Sequence, residues 1–74
     1  MKLIIVGAGS FGREVYTWLS HTIDGNPDYS IKGFIDNHLN NQDILSQKKY
    51  PIEIINNIND YKPNPEEKLV MSIA

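Results

Sequence analysis

Gly7, Gly9 and Gly12 follow directly on the apolar run Leu3-Ile4-Ile5-Val6, and an amphipathic stretch follows directly on them. A short apolar run without alternation suits a strand covered on both faces, as in parallel sheets. Beyond the glycines, Phe11, Val15, Trp18, Leu19 and Thr22 fall at helical spacing, with Arg13, Glu14, Thr17, Ser20 and His21 on the other side. Asp24-Gly25-Asn26-Pro27 then stops the helix with turn chemistry. In this reading Trp18 packs on the sheet. Gly-x-Gly-x-x-Gly between a strand and a helix is the context that the dinucleotide-binding fingerprint requires.

The three glycines have separate physical tasks. Gly7 permits the tight turn out of the strand, Gly9 lets backbone amides approach a phosphate with no Cβ in the way, and Gly12 lets the helix pack close to the strand. The free amides at the helix start, with the helix dipole behind them, favour an anion there. Ser10 adds a hydroxyl donor. The competing reading is a turn that needs its glycines for geometry and binds nothing, but glycines at this spacing in this context exceed what a turn needs.

A second strand spans Tyr29 to Ile35 and ends at Asp36; Gly33 inside it marks a close backbone approach. Two parallel strands joined by a helix cross over right-handedly. Asn37 to Lys49 is polar, carries Leu39, Ile44 and Leu45, and has room for a short helical turn near Asp43 to Gln47. Tyr50 to Ile55 reads as a short strand with Pro51 at its start or on an edge. Asn57 to Tyr61 reads as one turn of helix, Lys62-Pro63-Asn64-Pro65 as a loop, and Leu69 to Ile73 as a last strand. The expected architecture is α/β: a small Rossmann-like parallel sheet of three or four strands, the first strand central, with one main crossover helix over one face.

With 74 residues, 41% hydrophobic, the chain makes one small domain at most. A net charge of -2 with no Lys/Arg cluster gives no electrostatic case for nucleic acid or an anionic membrane. There is no cysteine, so disulfides and thiolate metal sites are absent. The run Leu3 to Val6 is too short for a signal segment or a membrane span, and a soluble, cytoplasmic protein is expected.

Asp36, at the end of the second strand, is placed to accept hydrogen bonds from ribose hydroxyls; the other reading is a carboxylate that caps the following loop as an Asx turn. Asn37 has the same two possible roles. His38 lies in the loop beyond, near the expected pocket, and reads first as a solvated loop residue with ligand contact as the alternative. His21 reads as a surface histidine in the last helical turn, where a cation suits the dipole. No Ser/His/Asp set and no metal-ligand spacing can be defended, so no catalytic or metal residue is assigned.

The stretch Ile4-Ile5-Val6-Gly7-Ala8-Gly9-Ser10-Phe11-Gly12-Arg13-Glu14-Val15 resembles the N-terminal domain of sugar acyltransferases of the sialic acid O-acetyltransferase type. These are related to the bacterial enzymes that N-acetylate UDP-4-amino-sugars. Gly33-Phe34-Ile35-Asp36-Asn37 is similar to the family's second-strand ending, where two acids are common; here the second is Asn37. Tyr50-Pro51-Ile52, Ile58-Asn59-Asp60-Tyr61 and Leu69 to Ala74 fall where the family has a short strand, a small turn and a strand before a Gly/Asn-containing loop. The resemblance covers nearly the whole chain and is most specific at Phe11-Gly12-Arg13-Glu14-Val15.

It implies that residues 1–74 are a nucleotide-sugar-binding domain, with Gly7, Gly9, Ser10, Phe11, Gly12, Asp36 and Asn37 lining the site. In the family, catalysis, the acetyl-CoA site and a homotrimer interface belong to a left-handed β-helix of hexapeptide repeats, which this sequence lacks. The expectation is therefore a partial module of a longer chain that catalyses nothing alone, binds no cofactor tightly, and is marginally stable or self-associates. A binding module of another class, NAD(P)- or nucleotide-sensing and regulatory, is the alternative. The polar stretch after Asp36 is a poor candidate for the second crossover helix that such a fold needs.

Overall fold

The computed structural model describes residues 1–38 and 40–72. Six elements follow in order: β1 (Lys2–Val6), α1 (Ser10–Thr22), β2 (Ser30–Ile35), α2 (Asn41–Gln47), β3 (Ile54–Asn56) and β4 (Glu67–Met71). The strands form one four-stranded sheet in the order β3-β2-β1-β4, and every neighbouring pair is parallel. This is the small Rossmann-like α/β fold that the strand-glycine-helix-strand order predicts, and β1 is paired on both sides.

The run Leu3 to Val6 is buried because β1 is inside the sheet and both of its faces are covered. Leu3 and Ile5 face α1 and join Ala8, Leu19, Phe34 and Leu45 in the larger cluster. Ile4 and Val6 face the other way and pack with Ile35, Ile58 and Tyr61, so the β3–β4 connection covers the second face. Neighbouring strands keep the same alternation: Ile5 lies beside Phe34 and Val70, Val6 beside Ile35 and Met71.

Between Leu3 and Ile4 the β1–β2 register slips, so Lys32 is an extra residue on β2, a bulge. Its ammonium reaches across β1 to Glu67 on β4, Nζ to Oε2 at 2.6 Å. Gly33 follows the bulge. A Cβ there would stand 2.8 Å from Ile55 Cγ2 and 2.9 Å from the Glu53 carbonyl oxygen, the close approach that a glycine within a strand predicts.

The structure corrects several local readings. The buried stripe of α1 runs through Gly12, Val15, Tyr16, Leu19 and Ile23, not through Phe11, Trp18 and Thr22. Trp18 is 67% exposed rather than packed on the sheet. The reason is the contact of Gly12 with the strand turn, which fixes how the helix is rotated; Tyr16 then meets Phe34, with ring centroids 6.1 Å apart, and Tyr50 edge-on at 5.4 Å. Of the stretch Tyr50 to Ile55, only Ile54 and Ile55 lie in a strand, β3; Tyr50 and Ile52 pack into the α1-side core instead.

The polar stretch holds a seven-residue helix, α2, that starts earlier than the turn expected near Asp43. Asn57 to Tyr61 is not helical: Asn57 closes a turn by accepting from Asp60 N–H and donating to its carboxylate, each at 2.8 Å. The last strand begins two residues before Leu69, at Glu67. Leu39, and Ile73 and Ala74 at the end of that stretch, lie outside the described residues.

Candidate functional site

A cleft of about 480 Å³ opens at the carboxyl ends of the strands, and residues following all four strands line it. Gly7, Gly9, Ser10, Phe11 and Gly12 come from the β1–α1 turn, Asp36, Asn37, His38 and Asn41 from the β2–α2 side. Ile58 comes from the β3–β4 connection and Ser72 from beyond β4. The chain builds β1, β2 and β3 outward in one direction and then returns to place β4 on the other side of β1. Open α/β sheets hold their ligands at such a switch point.

The glycines divide by what the fold asks of them. Gly7 has φ 101, a backbone state that side chains rarely adopt. At Gly12 a Cβ would stand 2.0 Å from the Gly7 carbonyl oxygen and 2.7 Å from its carbon, so helix and turn touch backbone to backbone. Gly9 differs: its φ of -72 and ψ of -169 suit any residue, and a Cβ there would meet nothing within 4 Å.

Gly9 is the N-cap of α1, which has neither a side-chain cap nor an acid in its first turn. Arg13 N–H takes the Gly9 carbonyl at 3.0 Å as the first helical bond. That leaves the N–H groups of Ser10, Phe11 and Gly12 as the helix's open donors, with the dipole behind them. Ser10 and Phe11 are exposed at the rim.

Asp36 is 5% exposed and holds this corner together. Its Oδ2 accepts from Ala8 N–H at 2.7 Å and from Asn41 Nδ2 at 3.0 Å, and its Oδ1 accepts from His38 N–H at 2.7 Å, an Asx turn. Burial pushes this carboxyl up, but the His38, Ala8 and Asn41 donors together outweigh it and hold Asp36 below its ordinary value. The residue thus straps the glycine turn to the start of α2. A carboxylate has about four lone-pair sites, and Oδ1 keeps one open. Asn37 is exposed and its Oδ1 accepts from Ile58 N–H at 2.9 Å, tying the β3–β4 connection to the cleft.

All seven residues read from the sequence as site residues therefore line one cleft: Gly7, Gly9, Ser10, Phe11, Gly12, Asp36 and Asn37. His38 joins them, whereas His21 sits on the exposed last turn of α1 and does not line the cleft. Sequence reasoning missed Asn41, Ile58 and Ser72. Ser72 is buried, and its hydroxyl donates to the Val6 carbonyl and lies 3.2 Å from that of Gly7, bracing the turn from below. Its signal is a lone hydroxyl amid an apolar stretch, at the strand's carboxyl end.

A larger, more open hollow of about 650 Å³ lies by Tyr16, Ile23, Pro27 and Tyr29, between the last turn of α1 and the start of β2. It is at the opposite ends of the strands from the glycine turn. Among the described residues no group of three or more His, Asp or Glu is placed to hold a metal ion, and no helix is long and apolar enough to cross a membrane.

No curated protein and no solved structure matches the chain. A family model described as the PglD N-terminal domain matches residues 2–74, which takes in all four strands, both helices and every residue of the cleft. The chain belongs to the PglD N-terminal domain family.

Proposed function

We propose that this chain is the acceptor-binding domain of a bacterial sugar O- or N-acetyltransferase, and that it holds a nucleotide-sugar in the cleft at the carboxyl ends of the strands. The observation that carries this reading is Gly9. The fold demands glycine at Gly7 and Gly12, but at Gly9 neither backbone angle nor neighbouring atoms require one. The missing Cβ leaves open approach to three unpartnered helix N–H groups, the arrangement that a phosphate needs. Family membership supports the acetyltransferase part of the proposal.

In this reading the diphosphate rests over Gly9 to Gly12, and a ribose hydroxyl donates to the open site on Asp36 Oδ1. Ser10, Phe11 and Asn37 border the ligand. In such an enzyme an amine or hydroxyl of the sugar attacks the thioester of acetyl-CoA with a histidine as general base. This chain's own part is to hold and orient the acceptor. The acetyl-CoA site, the base and the homotrimer interface are assigned to other parts of a cytoplasmic enzyme. A seven-residue α2 and a β3–β4 connection without a helix give an adenosine little surface, which favours a nucleotide-sugar over NAD(P).

A thermal-shift panel of UDP-sugars, CMP-sialic acid and NAD(P) tests the reading. Stabilisation by a nucleotide-sugar, lost in a folded Gly9→Val variant, is the expected result. Stabilisation by NAD(P) alone would overturn it in favour of a regulatory module.

A further inference from the structure

The cleft is built to receive an anion, yet its charge is arranged against one. Its open backbone donors are the neutral N–H groups of Ser10, Phe11 and Gly12, and among the described residues no Lys or Arg lines it. Its floor carries the buried carboxylate of Asp36. A diphosphate placed over Gly9 to Gly12 therefore meets a fixed negative charge in a partly water-excluded corner, where like charges repel strongly.

Among the described lining residues one side chain can carry positive charge: His38. Its main chain is pinned to the floor by the 2.7 Å bond from its N–H to Asp36 Oδ1, and its side chain is exposed at the cleft. We infer that His38 is the ligand's counter-cation, countering the Asp36 charge and donating to a phosphate oxygen, so that anion binding in this cleft is linked to one proton. The inference rests on the phosphate site proposed above and adds its charge chemistry.

The surroundings leave His38 this role. On the β1–α1 turn the lining residues Gly7, Gly9, Ser10, Phe11 and Gly12 are uncharged, and Arg13 and Glu14 beyond them do not line the cleft. At the end of β2 the charged neighbour is Asp36. On α2, Asn41 lines the cleft and the exposed Asp43 does not. On the β3–β4 connection Ile58 is apolar, and Asp60 is taken up by Asn57. Ser72, beyond β4, is a neutral hydroxyl committed to the Val6 carbonyl. Histidine changes charge between about pH 5 and pH 8, and its protonated form makes the stronger, charge-assisted bond to phosphate.

The test uses UDP-N-acetylglucosamine, whose diphosphodiester keeps its charge over this range, in calorimetric titrations of wild type, His38→Gln and His21→Gln. Wild type and His21→Gln should bind roughly three- to tenfold tighter at about pH 6 than at about pH 8, and His38→Gln equally at both. His38→Lys should restore the tighter binding at the higher pH. A flat wild-type profile, or the same slope in His38→Gln, overturns the inference and leaves the phosphate site standing. If this sugar nucleotide binds at neither pH, it is not the ligand, and the thermal-shift panel above decides the nucleotide-sugar reading separately. Sulfate, also of constant charge, then decides the role of His38 by amide shifts of Ser10, Phe11 and Gly12. Shifts that are larger at the lower pH in wild type and pH-independent in His38→Gln uphold it; any other pattern, including no shifts at all, overturns it.

Discussion

Gly9 and Gly12 are three residues apart and answer to different forces. Gly12→Ala places a Cβ 2.0 Å from a backbone oxygen that has nowhere to go, and it should destabilise the fold by about 3 kcal/mol or more. Gly9→Val places its side chain in open space, and it should cost only the roughly 1 kcal/mol of a poorer N-cap while nucleotide-sugar binding disappears. Unfolding curves and titrations on the pair separate the roles; binding that survives in folded Gly9→Val would remove this turn from the site. Asp36 has a strap's role on its own evidence. Asp36→Ala leaves Ala8 N–H and His38 N–H without their acceptor and should lower stability by about 1–3 kcal/mol. Because the folded carboxyl sits below its ordinary 3.8, this stabilisation is present above that pH and is lost as pH falls below it. Wild type and variant should therefore converge in acid denaturation. If Oδ1 also meets a ribose, Asp36→Ala weakens a ribonucleotide more than its deoxyribose analogue; equal losses would leave the strap as the whole role. These glycine tasks and the position of Asp36 were legible in the sequence because each depends on atoms within a few residues of a recognisable turn. That Asp36 accepts from Ala8 was not, since 28 residues separate them.

Among the elements, α1 shows how one contact overrules a periodicity. Two apolar stripes compete on it, one through Phe11, Trp18 and Thr22, the other through Tyr16 and Ile23, with Val15 and Leu19 on both. Residues at three, four, seven and eleven positions beyond Gly12 share its side of a helix. Gly12 must face the strand turn, so Val15, Tyr16, Leu19 and Ile23 go inward and Trp18 goes out. The deciding signal was in the glycine motif itself, not in residue hydrophobicity. Leu19→Ala should then destabilise by about 2–5 kcal/mol, whereas Trp18→Gln should stay within about 0.5 kcal/mol. Denaturant titrations check both, and a large loss in Trp18→Gln would mean that α1 is rotated the other way. The two short elements follow the same logic. Tyr50 and Ile52 are strand-like by composition, but α1 offers them an aromatic and aliphatic surface, and only Ile54 to Asn56 reach the edge of β2.

At the scale of the whole molecule, an ion pair stitches the sheet across its central strand. Glu67, its side chain 2% exposed, accepts from Lys32 at 2.6 Å, from Tyr61 OH at 2.7 Å and from Asn64 N–H at 3.1 Å. It thereby joins β2, β4 and the connection whose Ile58 walls the cleft. The Lys32 bond first, then those of Tyr61 and Asn64, bring its carboxyl from 4.5 down to about 2. A depressed carboxyl stabilises fully above its unfolded value and loses that contribution as pH falls through the folded one. Lys32→Met should therefore melt below wild type at neutral pH, and the gap should close between about pH 4.5 and about pH 2. A gap that stays constant through that window in thermal melts would show that the pair contributes nothing. The chain's local chemistry, read without any structure, was sufficient for the strand-glycine-helix unit, the parallel sheet around β1 and one corner of the cleft. Each of these follows from burial periodicity, backbone freedom at glycine and amides exposed at a helix start, forces that act within a few residues. The tertiary structure alone decided the bulge that sends Lys32 across the sheet and the meeting of Asn41, Ile58 and Ser72 at the glycine turn. Those outcomes depend on which distant backbones lie side by side, and that is settled by strand order and register.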